Sequence, residues 1–259
     1  MQSGLYVTLS AAVAVDRRMT TIAANIANQS TPGYRAEEIS FKSLLSKADA
    51  NPVDFVSQGE SFISRRQGVP IKTENPLDVA VQGQGWLALQ TPDGTLYTKD
   101  GRMRMEESGA LVSVDGYPVL DAGNAGILLD PNAGPPTIAQ DGMITQKGRQ
   151  IGAIGIFTLD DGAKLKRYNN SGVMSDKPAT AELDFANNGV AQGFIEGSNV
   201  NPVLEMAKLI MVSRAFESIS PATEGSETTL KAPSRPSAPP RDPFAARQPC
   251  ARLAGALRG

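Results

Sequence analysis

Between residues 77 and 190 the chain is punctuated by Asp-Gly turns. Asp93-Gly94, Asp100-Gly101, Asp115-Gly116, Asp141-Gly142 and Asp161-Gly162 recur, with Ser108-Gly109 and Asn188-Gly189 beside them. Asp-Gly supplies the positive φ angles that tight hairpins need. Short β-rich runs lie between the turns: Leu77–Val81, Trp86–Gln90, Thr95–Lys99, Arg102–Glu106, Ala110–Val114 and Tyr117–Leu120. Hairpin-length spacing with no βαβ repeat predicts one antiparallel β domain over about 77–190.

The two flanks have a different period. Residues 3–28 carry Leu5, Leu9, Ala12, Val15, Met19, Ile22 and Ile26 at gaps of three and four, the stripe of an amphipathic helix. Leu5, Ala12, Met19 and Ile26 also lie seven apart, as one coiled-coil position does. The stripe is narrow and partly alanine, so this helix needs a partner. Asn28-Gln29-Ser30-Thr31-Pro32-Gly33 ends it. A second helix is predicted after Asn201, a good N-cap, with Pro202 in the first helical position. Its stripe runs Val203, Met206, Leu209, Val212, Phe216 and Ile219, and Pro221 is expected to kink or break it.

The expected organisation is mainly β with terminal α-helices. An N-terminal axial helix (1–30) leads into an extended connecting arm (31–76) with some strand. The antiparallel β domain (77–190) follows, inserted between coiled-coil-forming helices, and a linker and C-terminal axial helix (191–231) complete the fold. Residues 232–259 hold six Pro and five Arg against one Asp, with no apolar period, and are expected to be disordered. Such a tail also resembles an out-of-frame reading of GC-rich DNA.

Composition narrows the chemistry. The 259 residues contain no histidine, which excludes His-based triads and His-ligated metals. The single cysteine, Cys250, allows no intrachain disulfide and no thiolate cluster. Net charge is −2, so nothing general points to nucleic acid. The first residues do not read as a cleavable signal peptide, and no apolar run is long enough to insert in a membrane. Gly83-Gln84-Gly85 loosely matches a dinucleotide fingerprint, but it leads into a strand rather than a helix. Asp160-Asp161 is a turn pair whose side chains point apart. No catalytic residue, cofactor site or metal site is expected. Two helical stripes around a β domain describe a subunit that assembles. A secreted β-domain binding module is the competing reading, for which Trp86 alone offers thin support.

Three stretches carry a family resemblance. Ala23-Ala24-Asn25-Ile26-Ala27-Asn28-Gln29-Ser30-Thr31-Pro32-Gly33-Tyr34-Arg35 is the first. Asn75-Pro76-Leu77-Asp78-Val79-Ala80-Val81-Gln82-Gly83-Gln84-Gly85-Trp86, continuing to Asp115-Gly116-Tyr117-Pro118, is the second. Glu196-Gly197-Ser198-Asn199-Val200-Asn201-Pro202-Val203 is the third. In order and spacing, over roughly residues 1–230, they resemble the bacterial flagellar basal-body rod and hook family, most closely its proximal-rod type, with the distal-rod type as the alternative. The resemblance implies a non-enzymatic rod subunit that transmits torque in the periplasm. It would leave the cell through the flagellar type III export apparatus and contact itself and other rod proteins. It implies that Leu5, Leu9, Met19, Ile22 and Ile26 pack with Val203, Met206, Leu209, Val212, Phe216 and Ile219, or against adjacent subunits. Asn25, Asn28, Thr31, Pro32, Gly33, Ser198, Asn199 and Asn201 would form the turns and caps that hold the arms.

Overall fold

The computed structural model describes residues 2–40, 43–46, 53–56, 59–185 and 188–231, and side chains for 8–40, 59–185 and 188–218. The predicted tail, 232–259, lies outside the described residues, as do the side chains of Leu5 and Ile219.

Helix α1 (Gln2–Ala27) opens the chain and α2 (Pro202–Lys231) closes the described part. They pack against each other, so the two sequence ends share one layer. α2 runs on through Pro221, contrary to the expected break. A proline forfeits a single ladder hydrogen bond while the turns on either side keep theirs.

The connecting arm is more regular than its sequence suggests. Strands β1 (Glu37–Ser40) and β4 (Glu60–Ile63) pair antiparallel, as do β2 (Ser43–Ser46) and β3 (Val53–Val56). The two ladders differ in register by one residue, so the arm is an antiparallel excursion folded back on itself. β1 and β3 lie alongside α1. Within the arm, strands β1 to β4 pair with one another rather than with the main sheet.

Strand β5 (Pro70–Lys72) follows, then β6 (Val79–Gln82), β7 (Trp86–Thr91), β8 (Gly94–Thr98), β9 (Met103–Met105) and β10 (Leu111–Ser113). Beyond them come β11 (Thr137–Ile138), β12 (Met143–Gln146), β13 (Arg149–Ala153), β14 (Ile156–Thr158), β15 (Leu165–Tyr168), β16 (Gly172–Ser175), β17 (Thr180–Ala181), β18 (Gly189–Gln192) and β19 (Phe194–Glu196). Every pairing is antiparallel, and the main sheet runs β15-β16-β8-β7-β14-β17.

β7 sits mid-sheet and is buried on both faces, which explains its unbroken apolar run. Leu87 and Leu89 enter the main core with Val79, Val119, Ile144 and Ile156. Trp86 faces the other way, against Ile63, Leu159 and Val173, and so fixes the arm to the sheet through β4. Two ladders close the domain near its base: β18 pairs with β6, and β19 with β5. They bring the residues entering and leaving the β domain together, immediately beneath the helices.

Candidate assembly site

The three resembling stretches meet at one place, the neck between the helix pair and the β domain. α1 ends when Asn28 folds back, its Nδ2 donating to Ala24 O at 2.9 Å. Thr31 Oγ1 donates to Asn28 Oδ1 at 3.0 Å, and Pro32 follows. Gly33 then turns with φ +69 against the backbone of Asp100; a Cβ there would lie 2.2 Å from Asp100 N. Only glycine meets both demands.

Asn25 is the hub of this neck. It is buried on α1, and its Oδ1 accepts from Tyr34 Oη at 3.1 Å and Glu37 N at 2.9 Å. Its Nδ2 donates to Glu37 O at 2.9 Å and to Glu205 Oε2, on α2, at 3.4 Å. One amide thus ties α1, the start of the arm and α2. Asn199 does the same one layer lower. Its Oδ1 accepts from Ala36 N at 2.6 Å, its Nδ2 donates to Arg66 O at 2.7 Å, and its N–H donates to Tyr34 O. Ser198 Oγ accepts from Val200 N at 3.3 Å, and Asn201 Oδ1 accepts from Leu204 N at 3.2 Å, in N-cap geometry. Lys208 Nζ donates to Glu205 Oε1 at 2.6 Å.

Beneath Asn199 lies a buried ionic cluster that sequence reading missed. Arg35 Nη2 meets Glu196 Oε1 at 2.6 Å, with both side chains almost fully buried. Gly68 N–H donates to the same oxygen at 2.7 Å. Lys99 Nζ stands 3.8 Å from Glu196 Oε2 and donates to Gly83 O at 2.9 Å. Two cations share one carboxylate. Arg35 Nε and Nη1 have no hydrogen-bond acceptor. Trp86 compensates: Arg35 and Lys99 stand 5.7 and 5.6 Å from its ring centroid, within cation–π range. Burial lowers the pKa of both cations, Lys99 to about 8. Arg167, from β15, lies 4.3 Å from the Tyr34 ring centroid and donates to Arg35 O, joining the sheet edge to the neck. Burial raises the Tyr34 pKa, partly offset by that guanidinium. Arg35 and Glu196 sit inside quoted motifs, but nothing in the sequence pairs them with each other or with Lys99.

The helices above the neck divide their apolar residues between two faces. On α1, Ala14, Ile22 and Asn25 are buried, Met19 and Ile26 half-buried, and Leu9 is 52% exposed. On α2, Glu205 and Val212 are buried and Leu209 half-buried. Val203 is 78% exposed, and Met206, Ile210 and Phe216 are also exposed. The sequence stripe therefore does not pack as a unit within one chain. Val203, Met206 and Ile210 stack at i, i+3 and i+7, on the side of α2 opposite Glu205 and Val212. Leu204 and Met211 flank them, both exposed. Leu9 and Val13 make a smaller exposed pair on α1. Gly83-Gln84-Gly85, the loose nucleotide fingerprint, is a turn leading into β7, without the helix N-terminus that would hold phosphate.

A polar-locked neck beneath a helix pair with exposed apolar faces defines a two-layer structural subunit, helices in one layer and β domain in the other. Comparison with known proteins agrees. Residues 5–35 match the model of the flagella basal body rod protein. Residues 80–146 match that of the flagellar hook protein FlgE/F/G D1 domain, and 191–225 that of the flagellar basal body rod FlgEFG protein C-terminal region. The chain is 48% identical to the flagellar basal-body rod protein FlgF of Mesorhizobium japonicum, over 84% of this chain and 90% of that one. It is 43% identical to FlgF of Rhizobium meliloti, over 89% and 95%. Against the flagellar basal-body rod protein FlgG of Agrobacterium fabrum identity falls to 33%, over 80% and 90%. The chain belongs to the flagellar basal-body rod protein family, and within it to the FlgF-like members.

Proposed function

We propose that this rod subunit assembles by burying the outward faces of its paired helices against neighbouring subunits, while the β domain forms the outer layer. The observation that carries this is the exposed stripe Val203, Met206 and Ile210, flanked by Leu204 and Met211, on a helix whose other side is already packed. Apolar side chains repeating at helical spacing on an outward face gain nothing in water and about 1.5–3 kcal/mol each when fully buried. Leu9 and Val13 extend the surface on α1.

As a structural subunit of the flagellar basal-body rod, the chain performs no catalysis. Its partners are copies of itself and other rod proteins, proximal and distal. Its route is the flagellar type III export apparatus, and its place is the periplasmic rod. The neck makes it suited to carry torque: Asn25, Asn199 and the Arg35–Glu196 pair connect the helix layer to the β layer through buried polar contacts. Asn28, Thr31, Pro32 and Gly33 set the turn on one side of that connection, and Ser198 and Asn201 start the helix on the other.

Quantitative mass spectrometry of purified hook–basal bodies tests the reading. Recovery at a few copies per structure supports a proximal rod segment. Many copies would move the chain to the distal rod, and absence from the structure would overturn the proposal.

A further inference from the structure

The chain has eight methionines, and seven lie among the residues whose side chains are described. Met103 is buried, and Met19, Met105, Met143 and Met174 are partly covered. Met105 and Met174 pack on the main core. Of the seven described, only Met206 (49%) and Met211 (60%) are exposed, and both stand on the outward side of α2, on either side of Ile210. Exposure of the thioether and position on the assembly surface therefore coincide at the same two residues.

We infer that Met206 and Met211 are oxidation sites that control whether the free subunit can assemble. This rests on the reading of the α2 face as the inter-subunit surface. A hydroperoxide, hydrogen peroxide being the simplest, transfers one oxygen to each thioether sulfur. The O–O bond breaks, an S–O bond forms, the sulfur is oxidised and the peroxide reduced, and water leaves (the alcohol, for an organic hydroperoxide). The sulfoxide is polar and chiral where the thioether was apolar and adaptable. Two such groups beside Ile210 and Val203 place unsatisfied acceptors where neighbouring helices need dry contact. Reduction by methionine sulfoxide reductases restores the surface, so the block is reversible. Once packed in the rod, both sulfurs lose access to oxidant.

The test compares free full-length chain with isolated basal bodies, each treated with hydrogen peroxide and analysed by peptide mass spectrometry. In the free chain, Met206 and Met211 are expected to gain oxygen well before Met103, Met105 or Met174. In basal bodies both are expected to be protected. A parallel pair of variants in cells reads the consequence. Under peroxide, incorporation of the parent should fall against untreated cells, whereas Met206→Leu with Met211→Leu should hold its own untreated level. Met206→Gln with Met211→Gln, which mimics the polar sulfoxide, should lose incorporation without peroxide. Equal oxidation in free and assembled protein would overturn the assembly-face reading itself. Protection in the rod together with normal incorporation of the Gln pair would overturn only the oxidation control. Indiscriminate oxidation of the free chain would also overturn it.

Discussion

Lys99 is 1% exposed, and burial pulls its ammonium down to about 8 against an ordinary value of 10.5. Between those values the unfolded chain binds more protons than the folded one, so stability rises with pH across that window. Below pH 8 the full penalty is present, on the order of 3 kcal/mol at most. Lys99→Met leaves Arg35 and Glu196 as a one-to-one pair. It is expected to be as stable as the parent at pH 7, or up to about 2 kcal/mol more stable. Its urea midpoint should no longer climb from pH 8 to 10.5. Glu196→Gln has the opposite sign, because two buried cations lose their only carboxylate, at about 3–5 kcal/mol. Urea unfolding of the two variants at pH 7 and pH 10 checks both claims. A Lys99→Met variant that keeps the pH slope would assign it to another group. Gly33→Ala tests the turn rather than the charge. Its φ of +69 and the nearby Asp100 backbone should make that single methyl cost well over roughly 1 kcal/mol in the same assay.

α2 shows what a helical period can and cannot convey. The stripe from Val203 to Ile219 marks a helix, and a helix is there. Period alone does not say which apolar residues meet the partner within the chain. α2 carries two apolar sides, and the one facing α1 includes a polar member, Glu205, held by Asn25 and Lys208. A buried glutamate breaks the pattern a stripe is drawn from, so period alone does not mark the inward side. The β domain was more legible, because its turns are fixed by local chemistry at Asp-Gly. The arm was less so, because its strands β1 to β4 pair with one another rather than with the main sheet. The two sides of α2 predict a separation of effects. Val203→Asp with Ile210→Asp changes exposed positions, so the free chain should keep its melting temperature, the cost staying within about 0.5 kcal/mol each. Rod incorporation and motility should be lost. Val212→Ala, on the inner side, should cost roughly 1–2 kcal/mol in the free chain. Loss of folding in the Asp pair would place that surface inside the monomer instead.

The layers of the subunit are joined at the neck by side chains from segments far apart in sequence. Asn199 spans from the base of α2 to Ala36 and Arg66, while Arg167 reaches from the sheet edge to Arg35 and Tyr34. Such contacts leave no local sequence signal, which is why Asn25 and Asn199 could be expected only as caps, while one is a hub and the other a strut. Their arrangement has a thermodynamic consequence. The β domain owns a core of its own, whereas among the described side chains the helix pair buries few apolar residues beyond Ala14, Ile22 and Val212. A narrow helix pair is marginal alone, so its stability is borrowed through the neck. The parent chain is expected to melt in one calorimetric transition, with equal calorimetric and van't Hoff enthalpies. Asn199→Ala removes both side-chain ties to the arm without touching the sheet or the outward helix face. It should split the melt in two, the helices unfolding first and the β domain near its original temperature, with circular dichroism assigning the early step to helix. One transition at a uniformly lower temperature would mean that Arg35, Glu196 and Asn25 carry the coupling and that Asn199 only strengthens it.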